Sequence, residues 1–265
     1  MKKIFAIAIA GIALLSACKK NDHHSNGGIL KGPVVEVHEG KSWTWAEVND
    51  NGEVKKLGIS ISNEAMNSVP VGSDDHPGHE HDHENMENNF ILKFHPMVSA
   101  STPFNHVGMG WNPNGHEPET IYGIAHFDFH FYMITPEQVA AIPAYEQDSA
   151  KFKNVPGPDY LPATYFNPGG GVPQMGVHWL DFTSPELGGA RFNQTFIYGS
   201  YDGNVTFYEP MITLEFMKAN ASFERDIPQP AKVQKSGWYP TKLKLKQSEK
   251  TYDVVLDGFV YRTKS

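Results

Sequence analysis

His126-Phe127-Asp128-Phe129-His130-Phe131-Tyr132 is the stretch on which the reading of the fold turns. Ionisable residues alternate with phenylalanine at every second position, which is the period of a β-strand and not of a helix. The pattern sends His126, Asp128 and His130 to one face and Phe127, Phe129 and Phe131 to the other. The phenylalanine face must be core. The opposite face is then a row of ionisable groups on an aromatic-rich strand, and burying it costs several kcal/mol unless the groups pair or bind a metal.

Working outward, short runs with β character recur along the chain. Strands are expected over 34–38, 42–48, 54–61, 90–95 and 121–134, and again over 195–201, 205–208, 231–234, 241–246 and 252–262. Lys242-Leu243-Lys244-Leu245-Lys246 alternates strictly, so its lysines form a wet face that discourages edge pairing. Asp202-Gly203-Asn204 between two such runs signals a hairpin. Helices are expected in two places only: after Thr135, which can cap a turn running from Pro136 to about Ala141, and after Pro210, through Leu214 to Lys218. With 24 glycines, 19 prolines and 12% aromatic residues, the expectation is an all-β chain with minor helix. Its form would be a single β-sandwich or barrel-like domain over 34–265, with long loops.

The N-terminus carries a different message. Lys2 and Lys3 precede an apolar run from Ile4 to Leu15 that is too short to span a bilayer, followed by Leu15-Ser16-Ala17-Cys18. This pattern resembles the lipobox of bacterial lipoproteins. The resemblance implies a signal peptide over 1–17, cleavage before Cys18, acylation of Cys18 and stable anchoring through several chains. Lys19 after Cys18 favours the outer membrane, facing the periplasm. Residues 18–33 read as the lipidated cysteine and a polar tether. Removing residues 1–17 takes two lysines and no acid, leaving 20 basic against 30 acidic side chains and a formal charge of −10. That balance argues against nucleic acid as a partner. Cys18 is the only cysteine, so no disulfide within the chain can staple the fold.

Residues 72–89, GSDDHPGHEHDHENMENN, place His76, His79, His81 and His83 among carboxylates with little apolar surface. The expectation is a mobile loop that binds Zn, Ni or Cu loosely, or else a solvated linker.

Strand geometry constrains how the His126-Asp128-His130 row could hold an ion. Side chains two apart project about 6–7 Å from each other and those four apart about 13 Å, whereas Zn–ligand bonds are about 2 Å. His126 and His130 therefore cannot readily share one ion on a straight strand, but Asp128 can join either. Further ligands are expected from His116, His178 and Glu209, with His106 a weaker candidate. A site of His116 or His126 with His130, His178 and Glu209 would satisfy Zn first, with Fe, Mn, Ni or Cu as alternatives. Asp128 and Glu209 are also candidate general bases. The competing reading is a buried hydrogen-bonded network without metal.

The segments HFDFHFYMI (126–134), GWNPNGHEP (110–118), MGVHWLD (175–181) and FIYGSYDGNVTFYEPMIT (196–213) together resemble an uncharacterised family of secreted bacterial proteins and lipoproteins. The resemblance implies a β-rich domain, allows a homo-oligomer, and brings no activity. A looser likeness to the α-class carbonic anhydrases fails because the closely spaced pair is His126-x-Asp128, where that family has His-x-His. The chain lacks a G-x-S-x-G elbow, a phosphate-cradling loop and a C-x-x-C pair. Three readings follow: an envelope lipoprotein binding a divalent metal and a small ligand, a metal-dependent hydrolase or lyase, and a structural lipoprotein without metal.

Overall fold

Phe127, Phe129 and Phe131 lie fully buried between two sheets, as the alternation requires. The computed structural model describes residues 27–72 and 88–265. In chain order the strands are β1 (Gly28–Val37), β2 (Gly40–Val48), β3 (Val54–Ser62), β4 (Asn89–Lys93) and β5 (His106–Asn112). They continue with β6 (His126–Tyr132), β7 (Tyr165–Phe166), β8 (Val177–Asp181), β9 (Gln194–Tyr201) and β10 (Asn204–Thr213). The last are β11 (Ser222–Asp226), β12 (Gly237–Tyr239), β13 (Lys242–Gln247), β14 (Thr251–Asp257) and β15 (Val260–Arg262).

A six-stranded sheet runs β1-β2-β3-β14-β13-β11 and a seven-stranded sheet runs β4-β5-β6-β10-β9-β8-β7; β12 and β15 pair separately. The two large sheets pack as a sandwich and close into no barrel. The core between them joins the phenylalanines of β6 to Leu57, Ile59 and Ile61 of β3 and Val254 and Leu256 of β14. The other face of the seven-stranded sheet is covered as well. There Tyr132, Phe207, Ile197 and Met211 pack under Tyr122 and Phe192 from the connecting segments. This second covering is what takes the polar side of β6 out of water.

Several elements match the sequence reading. Asp202 (φ 47°) and Gly203 (φ 77°) turn the β9–β10 hairpin in the left-handed region that a tight two-residue turn requires. Thr135 caps the helix Pro136–Ala140 in a reciprocal capping box with Gln138. Thr213 caps Leu214–Ala219.

Other elements correct it. β1 starts at Gly28, so the tether expected as far as Pro33 is in part a strand paired with β2. Residues 231–234 are not a strand. The strand expected over 121–134 begins only at His126, because Glu119–Tyr122 forms a helical turn. Short helices also occupy Asn63–Ser68, Pro96–Ser101 and Ser149–Lys153, each a single short stretch that tertiary packing stabilises. No helix among the described residues is long and apolar enough to cross a membrane. Cys18 and the segment 1–26, like most of the His-rich stretch with His76, His79, His81 and His83, lie outside the described residues.

Candidate metal centre

β6 is the scaffold of the site. On one side β5 sets Asn112 opposite His126, Gly110 opposite Asp128 and Gly108 opposite His130. On the other side β10 pairs Tyr208 with Phe131 and Met211 with Asp128, a register that sets Glu209 beside His130. Further across the sheet, β8 places His178 opposite Gly199 of β9, which itself pairs with Phe207 of β10. His116 arrives from the loop between β5 and β6. The structure thus brings together every ligand candidate that the sequence offered except His106, and it sorts them into two groups. His116, His126 and Asp128 form one; His130, His178 and Glu209 form the other. Within each group the potential ligand atoms all lie within 4.8 Å of one another.

This division corrects the expectation of one shared site. The strand rise that keeps His126 and His130 from sharing an ion also gives each a carboxylate of its own, Asp128 for the first and Glu209 for the second. His106 joins neither: its ring stacks on Tyr132 at 5.0 Å and its Nδ1 lies 3.2 Å from the Asn105 side chain.

The contacts inside each group are close and oddly aimed. His126 Nε2 lies 3.1 Å from Asp128 Oδ1 and His116 Nε2 lies 3.5 Å from Asp128 Oδ2. His130 Nε2 is 3.3 Å and His178 Nε2 3.5 Å from the two oxygens of Glu209. Yet His126 Nε2, Asp128 Oδ1, His130 Nε2 and Glu209 Oε2 are all buried without a hydrogen-bond partner. Distance permits bonding and direction does not, so these atoms aim at common points between the residues. His126 is 0% exposed and Glu209 1%, so water does not satisfy them from outside.

The far side of each ring explains the aim. His126 Nδ1 lies 2.6 Å from the Ile124 carbonyl, and His116 Nδ1 2.8 Å from the Glu117 carbonyl. A carbonyl can only accept, so each Nδ1 carries a proton and each Nε2 is the nitrogen left to face inward. Backbone carbonyls fixing the outer nitrogen while the inner one faces a carboxylate is the usual support of a metal-bound histidine. Asn112 Nδ2 donates to Asp128 Oδ2 at 2.8 Å and steadies the carboxylate.

Electrostatics separates the two groups. Burial would raise the Asp128 carboxyl, but His126 and His116 outweigh it and hold Asp128 well below the usual range. Burial would lower His116, but the Asp128 carboxylate overrides it and pulls its pKa up. In the second group burial wins. It pushes His130 down to about 4 and, helped by His130 and His116, His178 down to about 3. Burial and then the charge of Asp128 push Glu209 well above its usual value. His130 and Glu209 stand at ion-pair distance, yet burial shifts each toward its neutral form and favours keeping the proton on the acid. A metal ion would displace that proton.

Each group offers two imidazole nitrogens and one carboxylate. Three protein ligands leave a coordination position open, as in catalytic and ligand-binding sites rather than closed structural ones. The same donor set suits Zn, Fe or Mn. Sequence reasoning missed Asn112, the glycines of β5, and the rings that wall the site. His130 stacks on Tyr132 at 5.4 Å and meets Phe207 edge-on at 4.9 Å, while Phe192 stands edge-on to His126 at 5.4 Å. The alternation of Gly108 and Gly110 with Met109 and Trp111 was the signal for β5, hidden by its resemblance to a glycine loop.

The fold and the site define a β-sandwich with paired two-histidine, one-carboxylate groups on the covered face of one sheet. These buried clusters could hold a metal ion. Comparison with known protein families, with curated proteins and with solved structures returns no match for this chain.

Proposed function

We propose that this chain is a lipid-anchored protein of the bacterial envelope, held at Cys18, that binds a divalent transition metal ion on the polar face of β6. The observation that carries the reading is the set of buried, unpartnered atoms, His126 Nε2, Asp128 Oδ1, His130 Nε2 and Glu209 Oε2, converging in two places. A metal-free polar network would satisfy these atoms with hydrogen bonds; leaving them orphaned costs about 1–3 kcal/mol each. Zn fits first, and Fe, Mn, Ni or Cu fit the same donors. The histidines of 72–89 would raise the local metal concentration.

The open coordination position supports a second reading, a metal-dependent hydrolase or lyase. In that reading Asp128 and Glu209 serve as ligands and not as general bases. The test is metal content by mass spectrometry on protein whose His76, His79, His81 and His83 are replaced by Ser. Stoichiometric metal that falls in His130→Ala supports the proposal. A folded protein without stoichiometric metal sinks it and leaves a structural lipoprotein.

A further inference from the structure

We infer that the two groups act as one dinuclear site, holding two divalent ions at once and bridging them with a small oxyanion, a phosphate or a carboxylate. The inference rests on the metal-binding reading above and extends it from an ion to a class of ligand. Its first support is contiguity. Asp128 of the first group and His130 of the second project from the same face of β6 with one residue between them. Glu209 is set beside His130, so both carboxylates belong to one continuous polar strip. No residue of the strip divides the groups.

The donor sets are also equivalent, two imidazoles and one carboxylate in each, so an ion suited to one suits the other. Charge then becomes decisive. Two divalent ions bring four positive charges, and Asp128 and Glu209 supply two negative ones. The remainder sits among Phe192, Phe207, Tyr122 and Tyr132, where it is poorly screened. Among the described residues, neither Asp128 nor Glu209 pairs with a lysine or arginine, so no cation competes for the ions' place. The pair of ions therefore calls for an anion from outside.

Spacing selects the shape of that anion. The strand rise separates the Asp128 and His130 side chains by about 6.5 Å where they leave β6. Two metal–oxygen bonds of about 2 Å each cannot span it through one shared oxygen. Two oxygens of one oxyanion reach farther than a single shared one. Access is available from solvent on one member of each group: the His116 side chain is 35% exposed and that of His178 20%. A phosphate or carboxylate entering between them would complete both open positions in one step.

The experiment uses the full chain with His76, His79, His81 and His83 replaced by Ser, loaded with Zn²⁺ and freed of excess. Zinc per chain is counted, and binding of inorganic phosphate and of acetate is measured by calorimetry. The expected result is two zinc ions per chain and saturable binding of phosphate, acetate or both, the two arms telling which oxyanion class the site takes. Asp128→Asn and Glu209→Gln, nearly isosteric and checked for folding by circular dichroism, should each lose one ion, keep the other, and weaken anion binding at least about tenfold. One zinc per chain in the parent overturns the pair and leaves the single-ion reading standing. No zinc overturns both. Two zincs with no anion binding, or with anion binding unchanged in both variants, overturn the bridge.

Discussion

His126 shows how much one side chain can carry. Its Nδ1 proton is committed to the Ile124 carbonyl, so a neutral ring would hold a lone pair 3.1 Å from Asp128 Oδ1. Two acceptors face each other there, and only a proton or a metal ion relieves them. In the metal-free protein the Asp128 carboxylate is also what holds the His116 pKa up against burial. Asp128→Asn should therefore lower the His116 pKa, because burial is then opposed only by the Glu117 carbonyl and carboxylate. An NMR titration of the His116 ring in the metal-free variant reads this directly, and an unchanged pKa would refute the coupling. At this scale the sequence was informative. The alternation through 126–132 assigned faces correctly, and ion-bond lengths against strand rise spoke against His126 and His130 sharing an ion, in line with their falling in separate groups. It joined His130 with His178 and Glu209, as the structure does, but offered His116 and His126 as alternatives to each other, because their partnership depends on a loop path.

Register is the property of elements, and it decides which carboxylate serves which histidine. β10 brings Glu209 to His130, while His178 reaches the same point from β8 across Gly199. Gly199 is a close approach: a Cβ there would lie 2.0 Å from the Phe207 ring, which itself meets both His130 and His178 edge-on. Gly199→Ala should cost about 1–3 kcal/mol in denaturant unfolding. It should also weaken metal retention by the His130 group more than by the His116 group. Equal stability to the parent would show that Phe207 moves aside freely. Elements with strong local patterns, β6 and the β9–β10 hairpin, were legible from sequence alone. β5 and β8 were not, since Gly108 and Gly110 mimic a loop and Val177–Asp181 is too short to show a period. The short helices escaped for a related reason: packing, not intrinsic propensity, holds them.

Across the whole molecule, the buried imidazoles link stability to pH. His130 and His178 have folded pKa values of about 4 and about 3, below the ordinary 6.5. Their unfolded forms bind protons first as pH falls, so their contribution to stability is full above about 6.5 and is lost toward 4. Glu209 runs the other way. Its raised folded pKa means stability present below the ordinary 4.5 and lost as pH climbs through the folded value. In metal-free Glu209→Gln, where that opposing titration is absent, the melting temperature should therefore fall as pH drops from 6.5 toward 4. A bound ion removes the penalty on ionising Glu209, so the gap in melting temperature between loaded and metal-free protein should widen as pH rises. Ion at about one hundred times its Kd should add about 2.7 kcal/mol. A chelator that leaves the melting temperature unchanged at every pH would contradict this linkage.

The central claim is that metal sits at the two histidine–carboxylate groups. Diffraction from crystals of metal-loaded protein, recorded on both sides of the metal's absorption edge, tests it most directly. The expected result is an anomalous peak about 2 Å from the Nε2 atoms of His116 and His126 and an Asp128 oxygen, and a second at His130, His178 and Glu209. Ordered side chains at all six positions with no anomalous peak among them would contradict the account.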